Sequence, residues 1–130
     1  MIGNFYTKLI SAIKFAIQGF LTGTQSRNMR IHLIITLITL IAGLLLRLSL
    51  TEFLIILVFI AIVISLELLN SAMEELCNLV ESSYNPHVKK IKDMAAAAVL
   101  WSSLIALIAG IAIFAPRIFR LFQADKFILN

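Results

Sequence analysis

Five of the seven acidic residues fall between Glu67 and Asp93. Set on one helix and measured from Glu67 at about 100° per residue, Asn70 stands at about 300°, Glu74 at about 340°, Asn78 at about 20° and Glu81 at about 320°. Carboxylates and amides therefore share one polar stripe. The opposite face carries Leu68, Leu69, Ala72, Leu76 and Leu79 and stays apolar. Glu67 directly follows the apolar run Phe53 to Leu66, so its carboxylate is placed where apolar surroundings end. Burying it uncompensated would cost several kcal/mol, and an ionisable residue kept at that depth is a functional candidate by default. The plainer reading, a solvated helix extension, leaves the apolar opposite face unexplained.

Oxygen donors on one face suit a hard cation such as Mg²⁺, which retains several waters and takes one or two protein carboxylates beside phosphate oxygens. Lys92 and Asp93 add a phosphate-binding cation and a further oxygen. The set sketches a metal, a nucleotide and a base. The five glycines, at positions 3, 19, 23, 43 and 110, form neither GxxxxGK nor GxGxxG, which excludes a soluble-type nucleotide fold. Phosphoryl transfer here would rest on metal, cations and positioning at a membrane surface.

The elements that position these groups follow from composition. Of 130 residues, 61% are apolar and 14% charged, and the mean hydropathy is +1.01. Soluble chains are roughly half apolar and a quarter charged, so this chain needs the bilayer as solvent. Residues 5–21 place Thr7, Lys8, Ser11, Lys14 and Gln18 on one arc and Leu9, Ile10, Ile13, Ile17 and Phe20 opposite, the pattern of an amphipathic helix at the membrane surface. The polar segment TGTQSRNMR then reads as a turn. Three apolar runs follow: Ile31 to Leu46, Phe53 to Leu66 and Met94 to Ala115, the last ending at Pro116. A span needs roughly 20 residues, which predicts spans over 31–50, 50–69 and 94–115, the second continuing as a cytoplasmic helix to about 83. The expected fold is a single all-α membrane domain over 1–130, a surface helix plus three transmembrane helices.

Charge sets the expected orientation. With the amino end cytoplasmic, that side holds Lys8, Lys14, Arg27, Arg30, Lys89, Lys90 and Lys92, against Arg47, Arg117, Arg120 and Lys126 outside, and the cation-rich side stays in the cytoplasm. The formal net charge of +4 is dispersed by apolar runs, so it reads as membrane-edge anchoring and not as a nucleic-acid surface. Cys77 is alone and permits no internal disulfide; no cleavable leader is expected. His32 reads as an interfacial anchor or a site neighbour, His87 as a solvated loop residue, and Arg117 and Arg120 as contacts to lipid phosphates.

Two segments carry a resemblance. Glu67-Leu68-Leu69-Asn70-Ser71-Ala72-Met73-Glu74 followed by Lys92-Asp93-Met94-Ala95-Ala96-Ala97-Ala98-Val99-Leu100 resembles the ExxNSAxE…KDxxxxAV signature of the prokaryotic diacylglycerol kinase and undecaprenol kinase family. Arg27-Asn28-Met29-Arg30-Ile31-His32 is similar to the RNxxxH segment of its undecaprenol branch. The resemblance runs from about Ser11 to Pro116. It implies a homotrimer in the bacterial cytoplasmic membrane that transfers the γ-phosphoryl group of MgATP to a lipid alcohol, undecaprenol or diacylglycerol, in sites shared between subunits at the cytoplasmic face. By position it implies Glu67 as the general base, Glu74 as a metal ligand, and Asn70, Lys92 and Asp93 as nucleotide-site residues, with Tyr84 close enough in sequence to meet the nucleotide. Two positions depart. Ser26 stands where the family has a metal-binding glutamate, and Asn78 where it has an aspartate. Each keeps an oxygen and removes a charge, so the alternative function is a catalytically weakened or non-catalytic membrane scaffold. The run Ala95 to Ala98 also lacks a glycine often found there.

Overall fold

The computed structural model describes residues 2–128, with side chains left undescribed at 2–3, 122 and 124–128. Lys126 of the charge balance is among those side chains. The described residues form four helices: α1 (Ile2–Gly23), α2 (Arg27–Leu45), α3 (Leu50–Val80) and α4 (Pro86–Ile128). The last three are long and apolar enough to cross a bilayer. Most large apolar side chains face outward, and the interior is a short list: Met29, Ile56, Val63, Cys77 and Val99. That inversion is stable only where lipid is the solvent.

Helix α3 is the centre. Helix α4 packs along it most extensively, then α2, and the end of α1 touches it. The contact from α1 is close: a Cβ added at Gly23 would overlap the side chain of Leu68. At about 1.5 Å per residue the 31 residues of α3 reach about 46 Å, beyond the roughly 30 Å hydrocarbon core, so its last turns must stand outside it.

Local chemistry sets each boundary, and in several places it shifts the expected one. The polar segment after α1 is a turn only over 24–26, because the hydroxyl of Ser26 accepts the backbone N–H of Met29 at 3.1 Å and caps α2. Arg27 to Arg30 are therefore helical, and Met29 is wholly buried. At the far end α2 stops at Leu45 instead of running to 50. The N–H of Leu48 bonds the Gly43 carbonyl at 3.0 Å and that of Arg47 bonds Leu44 at 3.1 Å. This is a Schellman closure with Arg47 in the left-handed region at φ 51°, a conformation costing a side-chain-bearing residue about 1 kcal/mol. Gly43 suits that closure: a Cβ would stand 3.2 Å from the Leu48 side chain and 3.3 Å from that of Phe53, and both would have to give way by a few tenths of an ångström. Ser49 and Glu52 then form a capping box that starts α3.

Further shifts concern α4. Asn85 accepts the His87 N–H at 2.9 Å and Pro86 opens the helix, so His87, Lys89, Lys90, Lys92 and Asp93 are helical and His87 is not in a loop. At the other end Pro116 does not stop the helix, contrary to expectation. In lipid, ending a helix exposes several backbone groups, whereas an internal proline forfeits one hydrogen bond.

Arg117, expected at lipid phosphates, turns inward. Its Nη1 donates to the carbonyls of Leu46 at 3.1 Å and Arg47 at 2.7 Å, and its Nη2 donates to Glu52. One guanidinium thus ties α4 to the strained α2–α3 turn. Arg117→Met keeps the apolar stem and removes the clamp. The two carbonyl bonds, made by a charged donor, make a loss of about 2 kcal/mol the expected result, read as earlier thermal unfolding of the detergent-solubilised protein. An unchanged transition would show that the turn holds itself.

Candidate functional site

The buried residues of α3 are Ile56, Val63, Glu67, Asn70 and Cys77. Their spacing of seven, four, three and seven keeps them on the one face that packs against the neighbouring helices. Along that face the interior changes from aliphatic to polar at Glu67, which is 2% exposed, and Asn70, which is 4% exposed. The Glu67 carboxylate makes no hydrogen bond among the described residues, while His32 of α2 and Glu74 lie within its electrostatic reach. Asn70 donates through Nδ2 to Glu74 at 3.2 Å, leaving its own Oδ1 buried and without a partner. One acceptor, the Asn70 amide oxygen, is therefore enclosed with nothing donating to it, beside a carboxylate that makes no hydrogen bond among the described residues. Native interiors pair such groups, so the vacant valence points to a ligand.

One turn further out the stripe meets α4. Lys92 Nζ donates to Asn78 Oδ1 at 2.7 Å, and this bond holds an ammonium group against α3. Asp93, by contrast, pairs with Lys89 at 2.5 Å on an open surface. Tyr84, in the α3–α4 turn, is 81% exposed. Glu81 leaves the stripe because α3 ends at Val80; its carboxylate accepts the Ser83 hydroxyl at 2.6 Å and the Ser83 N–H at 3.0 Å, bonds that hold its pKa below the usual carboxylate range. Ser26 is engaged as the α2 cap. The structure therefore brings together Glu67, Asn70 and Glu74, and separately Asn78 with Lys92, while Asp93 and Tyr84 face solvent. His32 joins the first group; its position in the RNMRIH segment was the only signal for it.

Between α2, α3 and α4 runs an apolar cavity of about 590 Å³. It begins at His32 and extends past Val63, Phe59 and Gly110 to Phe114 and Ile118. Ser103 contributes a buried hydroxyl with no partner.

The donors fit a hard cation: two carboxylates and an unpaired amide oxygen, all oxygen. Among the described residues no three His, Cys, Asp or Glu side chains gather into a metal cage. A magnesium ion that keeps waters and phosphate oxygens does not need such a cage.

Three helices long and apolar enough to span, packed so that a carboxylate is buried and an apolar cavity lies among them, define a multi-pass membrane protein. The profile of the prokaryotic diacylglycerol kinase family matches residues 14–114. The undecaprenol kinase of Bacillus subtilis (strain 168) is 38% identical over 97 residues, covering 75% of this chain and 79% of that protein. No solved structure gives a significant match. The chain belongs to the prokaryotic diacylglycerol kinase family.

Proposed function

We propose that this protein transfers the γ-phosphoryl group of MgATP to the hydroxyl of a membrane polyprenol of the undecaprenol type. The observation that carries the reading is the enclosed Glu67 carboxylate, whose electrostatic neighbour His32 lines an apolar cavity. A lipid whose chain lies in that cavity presents its hydroxyl to Glu67. The carboxylate takes the proton as the lipid oxygen bonds to the γ-phosphorus and the bridging bond to ADP breaks. Family membership and the identity to an undecaprenol kinase support the lipid-kinase class and favour polyprenol over diacylglycerol.

Glu74 and Asn70 Oδ1 would hold Mg²⁺, which supplies charge neutralisation at the β- and γ-phosphates when bound. Lys92 exchanges its bond to Asn78 for phosphate oxygens, and Asp93 and Tyr84, both open to solvent, meet the rest of the nucleotide. The site faces the cytoplasm, the side of the larger lysine and arginine count. It is completed in a homotrimer, because Glu74 and Asn78 stand on the exposed side of a single subunit and need a neighbour to enclose them. Helix α1 lies along the surface with its lysines toward headgroups.

The test is phosphorylation by the purified protein in detergent with labelled ATP and either lipid. Undecaprenyl phosphate formed in step with ADP, at a kcat/KM at least about tenfold above that for diacylglycerol, is expected. A non-catalytic scaffold would make neither phosphate. Gly110→Leu supplies the second arm. A Cβ there meets no atom within 4 Å and Gly110 lines the cavity, so a leucine takes up part of its volume, and leucine favours the helix. The KM for polyprenol rises about fivefold with the KM for ATP unchanged; equal KM values for lipid would remove the cavity from chain binding.

A further inference from the structure

At the opposite end of the bundle a second cavity, of about 300 Å³, is lined by Leu45, Leu46, Arg47, Arg117, Arg120 and Leu121. Its wall is half guanidinium and half leucine. The arginines come from two elements: the α2–α3 turn supplies Arg47, and positions three apart on α4 supply Arg117 and Arg120. Arg117 is spent on the turn carbonyls and Glu52, and its Nε is buried without a partner. Among the described residues the ion pairs are Arg117 with Glu52 and Lys89 with Asp93, so neither Arg47 nor Arg120 has an acidic partner. Arg120 has only a long bond, 3.4 Å, from Nε to the Pro116 carbonyl. Among the described residues, three cations thus line the cavity against the single carboxylate of Glu52.

A lone arginine at a membrane edge extends its head to water while its stem lies along apolar surface. Here three converge on one concavity, and that convergence leaves like charges facing each other, which is unfavourable unless an anion sits among them. We propose that this cavity binds the phosphate of an anionic phospholipid headgroup. Guanidinium forks match phosphate oxygens in pairs, and charge-assisted bonds of this kind are the strong ones. The leucine half accommodates the glycerol stem and first methylenes. The site is separate from the one around Glu67: Glu52 and Glu67 are 15 residues apart on one helix, or about 22 Å. A phosphate held between Arg47 and Arg120 would bind the α2–α3 turn to α4 a second time, alongside the Arg117 clamp.

The experiment is native mass spectrometry of the full-length protein in non-ionic detergent, with equimolar phosphatidylglycerol and phosphatidylcholine. The parent is expected to retain phosphatidylglycerol over phosphatidylcholine by about tenfold. Arg120→Gln alone, and with Arg47→Gln, reduces that retention at least about fivefold, and phosphatidylglycerol raises the unfolding temperature of the parent but not of the double variant. Arg117 is left intact so that the turn stays clamped, and the exposed Arg120 makes the single variant the safeguard should the double variant misfold. Equal retention of the two lipids, or equal phosphatidylglycerol retention by parent and Arg120→Gln, overturns the proposal. Displacement of the lipid by millimolar inorganic phosphate overturns it also, assigning the cavity to a soluble anion.

Discussion

Glu67→Gln is expected to lower polyprenol phosphorylation by about 10²- to 10⁴-fold, the usual contribution of a positioned base. The substitution keeps size, helix preference and one acceptor oxygen, and removes the capacity to take a proton. Because Glu67 is 2% exposed and makes no hydrogen bond among the described residues, the neutral amide also relieves a buried charge. Folding should hold or improve, and the variant should unfold at the same temperature as the parent or above it. MgATP binding, assigned in the proposed site to Glu74, Asn70 and Lys92, should change little. The informative pattern is therefore a collapse of kcat with nucleotide affinity retained. Turnover within a few-fold of the parent would remove Glu67 from the role of base, and lost turnover together with lost ATP binding would make it a nucleotide-site residue instead.

The second large effect falls on the nucleotide. Glu74→Ala deletes one of two carboxylates near the unpaired amide oxygen of Asn70 and also the acceptor that orients Asn70. Lys92→Ala deletes the ammonium held against α3 by Asn78. Each should raise the KM for ATP by at least about tenfold, corresponding to roughly 1.4 kcal/mol, with a smaller change in the KM for polyprenol. The two should differ in their response to magnesium. Raising Mg²⁺ partly restores Glu74→Ala, since a weakened metal site is filled by mass action, and does nothing for Lys92→Ala, whose defect is a missing phosphate contact. ATP titrations that superimpose on those of the parent for both variants would place the nucleotide elsewhere.

Much of the architecture was legible because one property dominated. Apolar runs of span length and a net hydropathy foreign to water leave helices as the only way to satisfy the backbone in lipid, so helix type and span number follow from the residues alone. The stripe on α3 was legible for a similar reason: one helix carries it, and a period of 3.6 puts Glu67, Asn70 and Glu74 together wherever that helix goes. Glu81 was misplaced at the stripe's end because a helix terminus depends on capping, and here Ser83 offers the carboxylate a better local partner than another turn would.

What the sequence determined by itself, then, was what lies within single helices: the membrane as solvent, three spans, and a file of oxygen donors beginning at the end of an apolar run. Only the tertiary structure decided which residues from different helices meet. His32 is 35 positions from Glu67, Lys92 is 14 from Asn78 and Arg117 is 65 from Glu52, and no periodicity links such pairs. Their meeting depends on where α2 turns, which rests on the closure at Arg47, and on α4 continuing through Pro116 far enough to carry Arg117 to that turn. In lipid, helix association gains nothing from hydrophobicity itself and is settled by close packing and a few polar bonds between helices. Those contacts exist only after the helices have formed and been brought together, and composition and periodicity carry no trace of them.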